Sequence, residues 1–331
     1  IRDLVNAVSG NGGAAPGPAQ APQSATPPPA ATATRPSASV QDDAVDLGII
    51  VALPEEFREL FAEIRNSNEA KRVAGQTYFL FQRPGLDPGR PYHCAAVQIG
   101  TTGPNNAVVV TQHLRQHLRP RTIAVIGIAG GIHDDVNLGD VVAASQVDNY
   151  LDGARANPDP HKGFEFTLSG EVFRTSPQLM NLLRNFEFAY ADSYEHWKDD
   201  CVADLARLIP DEETRRRVSG LADQPRLLDG HLASGPIVGA AAEFGRWLRG
   251  RDRKYLALEM EAGGVLAAVG SGIGEGAQVE TLVLRGISDL ADDQKARLDG
   301  INKGALRRYA TRNVIRLLFS LMRAGVLERV G

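Results

Sequence analysis

Six stretches of the chain are apolar and β-branched with little polar alternation: VDLGIIVAL (45–53), YHCAAVQIG (92–100), TIAVIGIAG (122–130), DVVAASQV (140–147), KYLALEM (254–260) and ETLVLRGIS (280–288). Strands without a polar face belong to a sheet that is covered on both sides. Between and beyond them, apolar residues recur at helical spacing, which predicts helices over 55–66, 104–118, 178–208, 241–250, 261–270 and 303–324. Strands alternating with helices predict an α/β domain. No internal repeat is visible.

Two regions depart from this pattern. Ile1, Leu4, Val5 and Val8 fall on one face of a short helix that Gly10 ends, and residues 11–43 are rich in Ala, Pro, Ser and Thr with little to bury. The expectation is a last helix of an upstream domain over 1–10, a flexible linker over 11–43 and the α/β domain over 44–331. The segment from about 151 to 230 is too long for a simple connection, and reads as an insertion serving as lid, oligomer contact, partner surface or surface decoration.

Composition narrows the choice of partner. The 331 residues carry 36 Lys and Arg against 40 Asp and Glu, a formal net charge of −4. That balance gives no reason to expect nucleic acid or an anionic membrane as the main partner. No apolar run has the length of a membrane span, and no secretory signal is visible. The two cysteines, Cys94 and Cys201, read as buried free thiols of a reducing cytoplasm.

In open α/β sheets, ligands bind at the carboxyl ends of the strands. Here those ends carry acids or glycine turns: Glu55 and Glu56 in LPEEF, then GTTGPNN, then GIAGG, then Glu259 and Glu261 in EMEAGG, and Asp289 and Asp292 in GISDLAD. A single acid in such a place often only caps the next helix, a role that suits Ser288 and Asp289. Acids at three ends point to a site.

The same residues carry a resemblance. Over 47–320 the chain resembles the nucleoside phosphorylase and nucleosidase superfamily, and within it methylthioadenosine/S-adenosylhomocysteine nucleosidases. GIIVALPEEF is similar to that family's opening strand and acidic turn, and GIAGGIHDDVNLGDVV to its glycine turn and the strand that follows. LEMEAGG is similar to its Val-Glu-Met-Glu signature, and LRGISDLAD to Arg-x-Ile-Ser-Asp-x-Ala-Asp. The resemblance implies a single three-layer α/β domain with a mixed central sheet covered by helices, and hydrolysis of a purine N-glycosidic bond without a cofactor or metal. It implies that Asp289 protonates N7 of the base, Glu56 orients the attacking water, and Glu261 holds the ribose 2′ and 3′ hydroxyls. Met260 then packs on the sugar, and Ala129, Gly130, Ile237, Val238 and Ser288 line the substrate. Glu259 is read as support for its neighbour.

Some family members place an arginine before the glycine turn to bind phosphate as the sugar acceptor. That position is Val125 or Ile126 here, with no replacement cation nearby in sequence, so water is the expected acceptor. Ile128 stands where the nucleosidases have a small hydroxyl residue, and Pro236 where their base-pocket turn has an aspartate. RWLRGRDRKY (246–255) raises the possibility of phosphates on the substrate, but reads as a solvated face. GSGIGEG (270–276) lacks the lysine ending of a phosphate loop, and no histidine spacing suggests zinc. Similar modules act as effectors behind bacterial signalling domains, including phage-defence proteins that deplete adenine nucleotides. The expectation is therefore an effector cleaving an adenine nucleoside or nucleotide in the cytoplasm, regulated by an upstream domain and homo-oligomeric. A housekeeping nucleosidase, a phosphorylase and a nucleoside sensor without catalysis are the competing readings.

Overall fold

The structure is a computed structural model that describes residues 44–161, 163–271 and 279–327. The helix expected over 1–10, the linker expected over 11–43 and most of GSGIGEG lie outside the described residues. In chain order the elements are β1 (Leu47–Val51), α1 (Pro54–Ile64), β2 (Asn68–Val73), β3 (Gln76–Arg83), β4 (Tyr92–Gln98), α2 (Pro104–Leu118), β5 (Thr122–Gly131) and β6 (Val141–Asn149). Then follow β7 (Arg155–Asp159), β8 (Gly163–Thr167), β9 (Glu171–Arg174), α3 (Pro177–Arg184), α4 (Phe186–Ala189), α5 (Ala191–Leu208) and α6 (Glu212–Arg217). The last are β10 (Leu227–Ser234), α7 (Ala242–Arg251), β11 (Tyr255–Glu259), α8 (Ala262–Gly270), β12 (Glu280–Asp289), α9 (Lys295–Gly300) and α10 (Ala305–Arg323).

The continuous apolar runs form the middle of one mixed sheet, in the order β11-β10-β6-β12-β5-β1-β4-β3-β2, with β9 added to β6. β1 and β12 run parallel to β5 on its two sides, and β6 runs antiparallel to β12. β11 also pairs antiparallel with the end of β5, Leu258 opposite Gly130 and Ala257 opposite Gly131. This second pairing closes β5, β12, β6, β10 and β11 into a ring and brings LEMEAGG beside the GIAGG turn. Helices cover the sheet: α2 packs with α8, while α10 lies against β12 and β5 and carries α1 and α5. Every residue of β1 is buried, as the absence of a polar face requires.

The helix expected over 178–208 is instead α3, α4 and α5. Asn185, with φ −95° and ψ 4°, and Tyr190, with φ −136° and ψ 48°, leave helical geometry. The Asn185 amide donates to the Asn181 carbonyl at 2.8 Å, a side-chain bond of the kind that competes with the helix ladder. The segment 151–230 holds the separate β7–β8 hairpin, the added strand β9 and helices α3 to α6. It is tied to the core where Trp197 Nε1 donates to the Asn313 carbonyl at 3.0 Å, and where Asp204 of α5 pairs with Arg316 of α10 at 2.5 Å. No helix among the described residues is long and apolar enough to cross a membrane.

Candidate active site

At the carboxyl ends of β1, β5, β11 and β12 lies a cavity of about 230 Å³. That is near the lower end of the ~300–1,000 Å³ usual for small-molecule sites, room for one modest ligand. Its walls include Glu56 at the start of α1, Ala129 and Gly130 at the end of β5, and Met260 and Glu261 between β11 and α8. Ser288 and Asp289 enter from β12, and Ile237 and Val238 from the loop after β10. All nine residues singled out from the sequence thus face one space. A larger cavity, about 600 Å³, lies near His93, Gln82 and Asn68 and contains none of them.

Local chemistry places each acid. Pro54 opens α1 with a fixed φ, and Glu56 at the third helical position folds back so that Oε2 accepts from the Leu53 N–H at 2.8 Å. Its Oε1 accepts from the Ile128 N–H at 2.8 Å, tying α1 to the glycine turn of β5. Glu259 Oε2 accepts from the N–H groups of Glu261 and Ala262, at 3.1 and 2.9 Å, and so satisfies donors that the start of α8 leaves free. Glu261 is left to face the cavity, where its Oε1 accepts from the Gly103 N–H at 3.2 Å. A register shift between Ile287 and Asp289 turns the end of β12 so that Asp289 sits opposite Gly130. A Cβ on Gly130 would lie 2.9 Å from Asp289 Oδ1, so only glycine fits there without displacing the acid.

One buried cation organises three of the carboxylates. Arg285 Nη2 lies 2.5 Å from Glu259 and 3.7 Å from Glu261, and Glu56 is also within its field. Burial pulls the Arg285 guanidinium down, but the carboxylates Glu259, Glu261 and Glu56 hold it above its ordinary value. Burial pushes Glu56 up, against the pull of Arg285 and the two backbone N–H groups. Burial pushes Glu261 up to about 7, opposed by Arg285 and aided by Glu259 and Glu56. Asp289 stands apart from this cluster. Its Oδ2 accepts from Ser288 Oγ at 2.9 Å and from Lys295, and its Oδ1 from the Ala291 N–H at 3.0 Å.

Sequence reasoning assigned no part to Arg285, Lys295 or Arg307. Arg285 was visible inside LRGISDLAD, but its contact with Glu259 depends on the ring closure. Lys295 and Arg307 both line the cavity, from the starts of α9 and α10; no helix is predicted from the sequence over α9. They qualify the expectation that no replacement cation is near, which rested on sequence neighbours of the glycine turn. The basic run after Arg246 has no residue on the cavity; Arg249 pairs with Asp134 at 2.9 Å and Arg251 with Asp148 at 3.3 Å. Among the described residues no group of His, Cys, Asp or Glu is arranged to hold a metal ion. Cys94 and Cys201 are both buried free thiols.

A covered mixed sheet with an acidic cavity at its strand ends is the arrangement of a nucleosidase-like fold. The chain belongs to the phosphorylase superfamily, whose family model matches residues 46–322. The structure is similar to futalosine hydrolase of Helicobacter pylori, 18% identical, covering 83% of this chain and 96% of that one with a TM-score of 0.56. It is similar to 5′-methylthioadenosine/S-adenosylhomocysteine nucleosidase of Helicobacter pylori, 17% identical, covering 83% and 97% with a TM-score of 0.57. The Streptococcus pneumoniae enzyme of the same name, in complex with 8-aminoadenine, is 19% identical over 84% of this chain and 99% of that one, with a TM-score of 0.56.

Proposed function

We propose that the protein hydrolyses the N-glycosidic bond of a purine nucleoside or nucleotide and releases the free base. The observation that carries this reading is the convergence of Glu56, Glu261 and Asp289, the first two 205 residues apart in the chain, on one small cavity. The neighbouring folds support it, since they are nucleosidases and a hydrolase by name.

Each acid has a task in that reaction. Breaking the bond between C1′ and N9 sends its electron pair to the base and leaves positive charge on the sugar. Asp289 delivers a proton to N7, so that the base departs neutral. Glu261, as a carboxylate, accepts from the 2′ and 3′ hydroxyls and offsets the sugar's charge, a contact that tightens in the transition state. Glu56 orients a water and takes its proton as the water oxygen bonds to C1′. Arg285 touches no substrate in this scheme; it keeps three neighbouring carboxylates in place. Gly130, Ala129, Ser288 and Met260 shape the sugar and base contacts, and the backbone at Ile237 and Val238 meets the purine edge.

The finer reading has adenine as the base and the protein as an effector in antiviral defence. It is homo-oligomeric in the cytoplasm and controlled by an upstream domain. That reading rests on the sequence resemblance. The activity is tested by incubating purified protein with adenosine, AMP and ATP in phosphate-free buffer and chromatographing for free adenine. Base release without phosphate is the expected result; turnover only when phosphate is added overturns hydrolysis.

A further inference from the structure

Two cations on the cavity wall have no part in the hydrolysis just described. Lys295, at the start of α9, donates to Asp289 Oδ2. Arg307, in the first turn of α10, donates through Nε to Glu55 Oε1 at 2.8 Å and lies 3.8 Å from Asp299. Both side chains are partly open, 20% and 22% exposed, whereas Arg285 is closed off among its carboxylates. Asp299, which Arg307 faces, lies on α9, the helix that Lys295 opens, and both cations line the same cavity. Glu261 and Met260 come from a different junction, between β11 and α8.

A bound nucleoside leaves only one place for a group that these cations would attract. The purine ring carries no anion. An anion on the 2′ or 3′ oxygen would meet Glu261 and be repelled. The 5′ carbon remains.

We propose that Lys295 and Arg307 form a subsite for an anionic group on the 5′ carbon, so that the substrate is a nucleoside 5′-phosphate, and that Lys295 releases Asp289 when it turns to that phosphate. The proposal rests on the hydrolase reading above and names its substrate class. The two exchanges differ in consequence. Glu55 is 46% exposed, so water replaces Arg307 at little cost. Asp289 is 1% exposed. Left without the ammonium it keeps the Ser288 hydroxyl and the Ala291 N–H as donors, and its Oδ2 is no longer held away from the base by Lys295. Phosphate binding thereby frees Asp289 to face the base, and a nucleoside without phosphate leaves it paired with Lys295.

The test compares free adenine release from AMP, from adenosine, and from adenosine with inorganic phosphate, for the native protein, Lys295→Met and Arg307→Met. The native protein is expected to favour AMP over adenosine in kcat/KM by at least about tenfold, the scale of a charge-assisted contact. Either substitution is expected to pull that ratio toward one. In Lys295→Met the adenosine rate should also rise above that of the native protein, because Asp289 is no longer paired with the ammonium; loss of packing alone would lower it. Equal use of the two substrates, or a ratio untouched by both substitutions, overturns the subsite and leaves hydrolysis standing. Formation of a sugar phosphate from adenosine and inorganic phosphate would assign the cations to the attacking group and overturn both readings. If no compound yields base, hydrolysis falls, and calorimetric binding decides the subsite: preference for AMP that Arg307→Met abolishes supports it, and no preference overturns it.

Discussion

Arg285 and Glu259 form an ion pair at 2.5 Å in which each side chain is 1% exposed. It joins β12 to β11 at the point where the ring of strands closes, and the same guanidinium faces Glu261 and Glu56. Removing the arginine therefore strands three acids instead of one. Arg285→Met is expected to cost about 3–5 kcal/mol at pH 7.5, the range for leaving a buried charge without its partner. The loss should shrink at pH 5, where Glu261, pushed up to about 7 by burial, carries its proton. Denaturant unfolding at both pH values measures it, and an equal loss at each would assign the cost to packing.

Gly127 tests how tightly that cluster is fitted. A Cβ there would collide with Arg285 Nη1 and stand 2.8 Å from Glu56 Oε1. Neither group can retreat without losing its partners, Glu259 for the arginine and the backbone N–H groups for the glutamate. Gly127→Ala is expected to reduce base release by at least about tenfold, since a displacement near 1 Å at a reacting centre costs more than this. Gly250→Ala is the control: its Cβ meets nothing within 4 Å. Equal rates for the two variants would show that the cluster tolerates the displacement.

Asp289→Asn separates the acid from the binding site. The amide keeps the shape of the side chain and can still face Ser288, but has no proton to give. Turnover is expected to fall by roughly 10²–10⁴, the usual worth of a positioned acid or base, with substrate affinity changed only a few-fold. Single-turnover kinetics and equilibrium binding measure the two quantities. Parallel losses in both would make Asp289 a binding residue.

The sequence made the strand ends legible because β1, β5 and β12 are buried on both faces and so appear as unbroken apolar runs. Glu56, Glu261 and Asp289 could be read off those ends together with the motifs around them. What stayed hidden depends on long-range geometry. β2, NEAKRV, lies at the sheet's edge with no residue fully buried, so it gives no apolar run to read. β10 carries Asp229, Gly230 and His231 in its middle and breaks the apolar pattern, yet runs parallel between β6 and β11. Arg285 gains its role only when β11 curls back onto β5. Lys295 and Arg307 sit on helical faces whose charges, in one dimension, look like any others.

Glu261 makes the final prediction, because its task and its burial conflict. Its folded value, about 7, lies above the ordinary carboxylate value of 4.5. The native protein therefore holds this proton more tightly than the unfolded chain does. Below about pH 4.5 the residue is protonated in both states and stability is complete. As pH rises from there to about 7, the unfolded chain ionises first and stability is lost, by about 3 kcal/mol over the whole window. Glu56, also pushed up by burial, acts in the same direction. Glu261→Gln cannot ionise, so the stability difference between variant and native protein is expected to grow in the variant's favour from pH 5 to pH 8. Binding has the opposite dependence: the native protein should hold a ribose diol more tightly as Glu261 becomes a carboxylate, and the variant should show no such rise. Thermal melts at pH 5, 6, 7 and 8, with and without nucleoside, measure both slopes. A variant that melts below the native protein at pH 8 would mean that the Glu261 carboxylate stabilises the fold through Arg285 by more than its burial costs.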